Sequence, residues 1–356
     1  MIYDETLSYE ENLLQGPKFS GQFPKREMPE SRSDFLDFLG HQVASPLGIP
    51  AGPLLDSRYI YFAARMGFDL LTYKTIRSVS WPAHQVPNIV FVKNGKDEKG
   101  EIALQTSRER PLSITNSFGM PSQDFQFLAE DLPKAKASLQ DGQVLIVSVT
   151  GSKVKERSFF DDFIHTALFA KEHAADCIEA NFSCPNVSSA HKAMYQDPQA
   201  VEQLSTALVK ALGNMPLILK VGIYPNFELQ RKIFCLAAKA GVRGICGINS
   251  KSYRVFTKTG DLALGEKRPT SGVCGALIQK EALEFVSRSR QIINEEKLDL
   301  KLIGVGGVLQ AQDIDAFLDH GADFVQSAVG MMDNPLLAKD YFDLKKLSMS
   351  ALSTAL

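Results

Sequence analysis

The segment Asn181-Phe182-Ser183-Cys184-Pro185-Asn186 gathers two amides, a hydroxyl and a thiol into one hexapeptide. The thiolate is the reactive form of cysteine, and polar surroundings favour it where an apolar environment suppresses it. With a reference pKa of ~8.5, a thiol needs only modest tuning to act as a general base. The remaining cysteines, Cys177, Cys235, Cys246 and Cys274, read as small buried hydrophobes, the common fate of free cysteine. None of the five shows the paired CxxC spacing of a zinc or iron-sulfur site, so no metal is expected. Their odd number suits reduced thiols in a reducing compartment.

Asparagine carries a donor and an acceptor on one amide, which matches the alternating N–H and C=O edge of a uracil-like ring. Asn116, Asn181, Asn186 and Asn249 all fall near the ends of apolar runs. Singly each reads as a turn residue, but a shared position at one face points to a binding site. Lys74 and Lys220 also end apolar runs, where an ammonium is costly unless it meets an anion or an electron-rich ring such as a reduced flavin. Gly304-Val305-Gly306-Gly307 lets backbone N–H groups close on an oxyanion. Taken alone, that turn would serve a phosphosugar isomerase as readily as a flavin enzyme.

Positioning these groups on one face calls for repeated strands. Eight short apolar runs, at residues 46–52, 69–75, 144–150, 177–182, 216–222, 244–249, 301–306 and 323–327, alternate with segments of helical period. The helical segments include 160–173, 200–212, 229–240, 279–295 and 312–320. This alternation predicts a (β/α)8 barrel, a TIM barrel of the α/β class, over residues 45–350, with residues 1–44 as an extension packed on it. In such barrels the chemistry collects at the C-terminal ends of the strands. Two long connections interrupt the rhythm, at 78–117 and 253–271, and long loops in compact domains are commonly functional. Within the first, 88–93 and 101–105 are expected to pair as a hairpin around Lys93-Asn94-Gly95-Lys96-Asp97.

The 356 residues carry a net charge of -2, with 44% hydrophobic and 22% charged content. That composition is ordinary for a soluble globular protein and gives no field for holding nucleic acid. No apolar stretch near the N-terminus has signal-peptide or membrane-span length, so a cytoplasmic protein without a membrane partner is expected.

With these residues in view, the sequence resembles the dihydroorotate dehydrogenase family over about residues 38–335. The strongest motif is Asn181-Phe182-Ser183-Cys184-Pro185-Asn186. Supporting it are Pro46-Leu47-Gly48-Ile49-Pro50-Ala51-Gly52, Asn116-Ser117-Phe118-Gly119-Met120-Pro121, Asn249-Ser250, Ser271-Gly272-Val273-Cys274-Gly275 and Gly304-Val305-Gly306-Gly307.

The resemblance implies an FMN-dependent oxidation of (S)-dihydroorotate to orotate in de novo pyrimidine (UMP) biosynthesis. Cys184 would take the proton from C5 while hydride passes from C6 to flavin N5. Ala51, Gly52, Lys74, Thr75, Asn181 and Lys220 are implied at the flavin, and Gly272, Gly306, Gly307, Ser327 and Ala328 at its phosphate. Lys74, Asn116, Phe118, Gly119, Met120, Asn181, Asn186, Asn249 and Ser250 are implied at the substrate.

Cysteine rather than serine at position 184 points to the family's soluble branch, which is generally dimeric and often closes a lid here expected at 187–196. The connection at 78–117 is longer than that branch's pattern, and Ser327-Ala328 stand where a glycine and a hydroxyl residue are common.

Two other flavin barrels share part of this pattern. Gln196-Asp197-Pro198 and the long 253–271 connection also resemble dihydropyrimidine dehydrogenase, although the iron-sulfur cysteines of that enzyme are missing. The tRNA dihydrouridine synthases share an Asn-x-x-Cys-Pro strand end, but neither a basic face nor a helical C-terminal module is legible here. The oxidant stays open among fumarate, NAD through a partner subunit, and oxygen.

Overall fold

The computed structural model describes residues 1–93, 109–183 and 193–355, with side chains to residue 348. Eight parallel strands close into a barrel in chain order. They are β1 (Leu47–Ile49), β2 (Leu70–Ile76), β3 (Val144–Val149), β4 (Cys177–Asn181), β5 (Leu217–Lys220), β6 (Gly244–Gly247), β7 (Lys301–Val305) and β8 (Phe324–Gln326). Each expected run supplies one strand, and most are shorter than the run because the final residues turn outward to form the mouth. Closure is made where β8 meets β1, with Val325 opposite Leu47 and Gln326 opposite Gly48. Gly48 is required there, since a Cβ would sit 2.7 Å from Leu70 Cβ.

The expected helices form at Phe159–Glu172, Pro198–Leu212, Phe227–Lys239, Gln279–Glu295 and Ala311–Asp319. Several starts are set locally by side-chain caps that satisfy otherwise orphaned N–H groups. Asp197 accepts from Gln199 and Ala200 ahead of Pro198, Asn226 accepts from Leu229, and Ser158 accepts from Asp161.

Alternation along β4 sends Cys177, Glu179 and Asn181 into the barrel, while Ile178 and Ala180 pack toward the helices. One end of the interior is plugged by a hairpin of Leu36–Phe38 and His41–Val43. Phe38 meets Phe324 edge-on at 4.9 Å and joins Val43, Leu70, Val144, Ile218 and Ile303 in an apolar cluster.

The two long connections merge into one antiparallel sheet, ordered Lys251–Tyr253, Ser271–Gly275, Ser113–Asn116 and Ile89–Phe91. Ile89–Phe91 pairs with Ser113–Asn116, with Phe91 opposite Ile114, and that partner is itself held by Ser271–Gly275. The hairpin expected between 88–93 and 101–105 falls on residues 101–105, which lie outside the described residues.

The helix Tyr9–Gln15 begins at a reciprocal cap between Ser8 and Glu11. It is tied to the barrel by Tyr59 Oη donating to Asn12 O at 3.0 Å, and Ile2 N donates to Met332 O at 2.9 Å. Farther along, Arg26 reaches Asp69 with Nε at 2.9 Å and Nη2 at 2.7 Å. Among the described residues no helix is long and apolar enough to cross a membrane.

Candidate active site

A cavity of about 610 Å3 opens at the C-terminal ends of the strands, a volume in the range of small-molecule sites. Its floor is made by side chains from different strands: Lys74 of β2, Asn181 of β4, Lys220 of β5 and Gln326 of β8. Position in the barrel, rather than proximity in sequence, brings the two lysines to one space.

Their electrostatic settings differ. Burial, reinforced by the like charge of Arg77, pulls the Lys74 pKa down to about 8. For Lys220 burial acts in the same direction, but the Cys246 thiol and the Glu179 carboxyl outweigh it and leave its pKa above the ordinary lysine value. Lys220 Nζ donates to Cys246 Sγ at 3.2 Å, Cys246 Sγ donates to Gln326 Oε1 at 3.3 Å, and Gln326 Nε2 donates to Thr72 Oγ1 at 3.2 Å. A polar layer thus lies between the apolar plug and the cavity.

On one flank stand Asn116, Phe118, Gly119 and Met120. Gly119 and Met120 both have left-handed backbones, φ 77 and 53. Arg77 holds this turn: its Nε donates to Met120 O at 3.0 Å, its backbone N to Ser122 Oγ at 3.0 Å, and its Nη1 to Gly151 O at 3.3 Å. Asn116 Nδ2 donates to Gly272 O at 3.3 Å, and Asn181 Nδ2 points at Met120 Sδ at 3.7 Å. Asn249 Oδ1 accepts from Ser250 N at 2.8 Å.

On the other flank Gly306 and Gly307, φ 127 and 82, approach Ala328. A Cβ on Gly307 would lie 2.5 Å from Gln279 Cβ, and one on Gly275 would lie 2.4 Å from Leu112 O. The wall there is bare backbone, as a group with several oxygen acceptors requires.

Of the residues expected at the site, Ala51, Gly52, Lys74, Thr75, Asn116, Phe118, Gly119, Met120, Asn181, Lys220, Asn249, Ser250, Gly306, Gly307 and Ala328 line the cavity. Gly272 and Ser327 do not. Gly272 packs beneath Ser250, and the Ser327 hydroxyl donates to Val308 O at 2.8 Å while accepting from Met331 N. Cys184 and Asn186 lie outside the described residues, as do 187–192 of the expected lid; its end, Met194–Gln196, forms a 3-10 turn in which Tyr195 Oη donates to Ile223 O at 3.0 Å.

Several cavity residues were not anticipated: Tyr3, Tyr9, Arg77, Trp81, His84, Gln326 and Cys274. Cys246 was read as a plain hydrophobe, yet it mediates between Lys220 and Gln326. Inward alternation from Asn181 could have singled out Glu179, and Arg77 follows an apolar run much as Lys74 does. Nothing local marked Tyr3 or Tyr9. Among the described residues no group of three or more His, Cys, Asp or Glu is placed to hold a metal.

A parallel barrel plugged at one end, with cationic and amide side chains gathered at the other, has the architecture of a barrel enzyme. The family model described as dihydroorotate dehydrogenase matches residues 40–343. The chain belongs to the dihydroorotate dehydrogenase family of enzymes. It is 41% identical to a dihydroorotate dehydrogenase of Dictyostelium discoideum, over 97% of each chain. It is also 24% identical to a dihydroorotate dehydrogenase (quinone) of Clavibacter sepedonicus, over 92% of this chain and 88% of that one. A crystal structure of the Eimeria tenella enzyme in complex with ferulenol shares the fold, with a TM-score of 0.72 at 18% identity, covering 93% of this chain and 89% of the other.

Proposed function

We propose that this enzyme oxidises (S)-dihydroorotate to orotate with FMN as cofactor, Cys184 serving as the base that removes the C5 proton. The observation that carries the reading is the convergence of Lys74, Lys220, Asn116, Asn181 and Asn249 on one cavity. Two buried cations suit a ligand pair that is anionic, and the amides suit the edge of a pyrimidine ring.

FMN fits the residues present. The glycine-walled flank at Gly275, Gly306 and Gly307 would receive the phosphate, while Ala51, Thr75, Asn181 and Lys220 would border the ring. When bound, the flavin would supply the hydride acceptor. Ser327 would support that site from beneath through Val308 and Met331, while Gly272 backs Ser250 and Asn116 on the substrate side.

The chain's own residues would do the rest. Asn116 and the turn Phe118-Gly119-Met120 would receive the substrate carboxylate, with Asn181, Asn186, Asn249 and Ser250 on the ring edge. Lys74 would offer its charge between substrate and cofactor. Ser183 lines the cavity wall, and Cys184 follows it directly in the chain, which supports the thiol as the proton acceptor. The family match across residues 40–343 favours this substrate over the uracil-type and tRNA substrates of the similar flavin barrels.

The purified protein should be yellow and should bleach when dihydroorotate is added without oxygen. Bleaching by dihydrouracil alone would overturn the reading. Cys184→Ala should keep the colour and slow flavin reduction by roughly 10²–10⁴-fold; an unchanged rate would place the base elsewhere.

A further inference from the structure

Residues 1–39 lie outside the segment matched by the family model, yet Tyr3 and Tyr9 form part of the cavity wall. Tyr9 is 3% exposed, and its ring centroid stands 5.9 Å from Lys74 Nζ. Both tyrosines also meet Phe118 of the turn proposed to receive the substrate: Tyr3 at 6.0 Å with the planes at 83°, Tyr9 at 6.3 Å and 67°. The segment bearing them is held at several points, through Ile2 N to Met332 O, Ala83 N to Glu10 Oε1 at 3.2 Å, and Tyr59 Oη to Asn12 O.

We propose that the N-terminal segment is part of the active site, and that Tyr9 is a positioning residue that holds the Lys74 ammonium at the cavity and, with Tyr3, fixes Phe118. The inference rests on Lys74 meeting the ligand as proposed above. A ring face within about 6 Å attracts a cation, and the attraction grows when water is excluded, as it is here. Among the described residues Arg77, of like sign, acts on the Lys74 ammonium, so the ring face is the favourable contact it has. An aromatic face favours the protonated lysine without neutralising it, so the charge stays available to an anionic ligand. The edge-to-face contacts with Phe118 add a second constraint, since such pairs prefer defined ring geometry.

The groups surrounding this contact are Arg77 on the lysine side and Asp56, Glu10 and Tyr59 on the tyrosine side. They are unchanged by substitution at Tyr9, so a comparison of variants isolates the ring. Orotate binding to the holoenzyme, read from the change in flavin absorbance at pH 6.5 and pH 8.5, tests the proposal. Tyr9→Phe keeps the ring and should bind as the unsubstituted protein does. Tyr9→Leu and the longer, more flexible Tyr9→Met lack it, and their Kd should rise about fivefold or more at pH 8.5 with a smaller rise at pH 6.5.

An unchanged ratio of the two Kd values in whichever of these variants folds would overturn the inference, as would an equal loss in Tyr9→Phe. Failure of the unsubstituted holoenzyme to bind orotate would instead defeat the functional reading, and this inference with it.

Discussion

Lys220 Nζ donates to Cys246 Sγ at 3.2 Å, and the carboxyl of Glu179 faces the same pair inside the barrel. Glu179 is 1% exposed, and its Oε1 finds no hydrogen-bond partner among the described residues. The lysine thus meets the cavity above and balances a buried carboxyl beneath. Lys220→Met should destabilise the protein by about 3 kcal/mol, because it leaves that carboxyl without its cation. Adding Glu179→Gln should recover more than half of the loss, and urea unfolding of the single and double variants checks the coupling.

Lys74 should give the site an alkaline limit. With its pKa lowered to about 8 by burial and Arg77, it is charged below that pH and loses its charge as pH rises through it. Orotate affinity should therefore fall above about pH 8. In the ligand-free protein the linkage runs the other way. Between about 8 and the ordinary lysine pKa of ~10.4, the unfolded chain holds a proton that the folded chain has released, so stability rises with pH across that window. Lys74→Met should abolish both trends, measured by ligand titration and thermal unfolding over pH 6.5–9.5.

The Arg77 guanidinium fixes Met120 O, Gly151 O and Ser152 Oγ at once. A lysine has the charge but not the planar fork needed to span such partners. Arg77→Lys should raise the KM for dihydroorotate about tenfold, equivalent to ~1.4 kcal/mol, the low end for hydrogen bonds from a charged donor. Flavin colour should persist, and the split between KM and kcat distinguishes a displaced substrate turn from general damage.

The Arg26–Asp69 pair ties the N-terminal extension to the start of β2, with side chains 9% and 1% exposed. Burial raises the Asp69 pKa to about 6, and Arg26 opposes that rise. Because the folded value lies above the unfolded ~3.9, this group's contribution to stability declines as pH rises from about 4 to 6. Arg26→Ala should push the pKa higher still and leave a buried carboxylate unpaired, costing about 3–5 kcal/mol near neutrality. At pH 5, where the carboxyl is already largely protonated, the loss should be smaller. Thermal unfolding at pH 5 and pH 8 separates the two.

The order of strands and helices was legible in the sequence because hydrophobic periodicity is a local property. All eight strands and the five expected helices fell where the apolar period put them. Locality also exposed Lys74, Lys220 and the asparagines, each a polar residue ending an apolar run. Strand pairing across long connections is not local: Ile89–Phe91 chose Ser113–Asn116 because Ser271–Gly275 supports that strand from far along the chain. Tyr3 and Tyr9 carry no distinguishing pattern and reach the cavity only because the extension folds back over the mouth. The hexapeptide around Cys184 suggests a general base from residue types alone. Only closure of the barrel brings two unlike lysines and a buried polar layer to one cavity, since side chains distant in sequence acquire shared electrostatics only when packing brings them together.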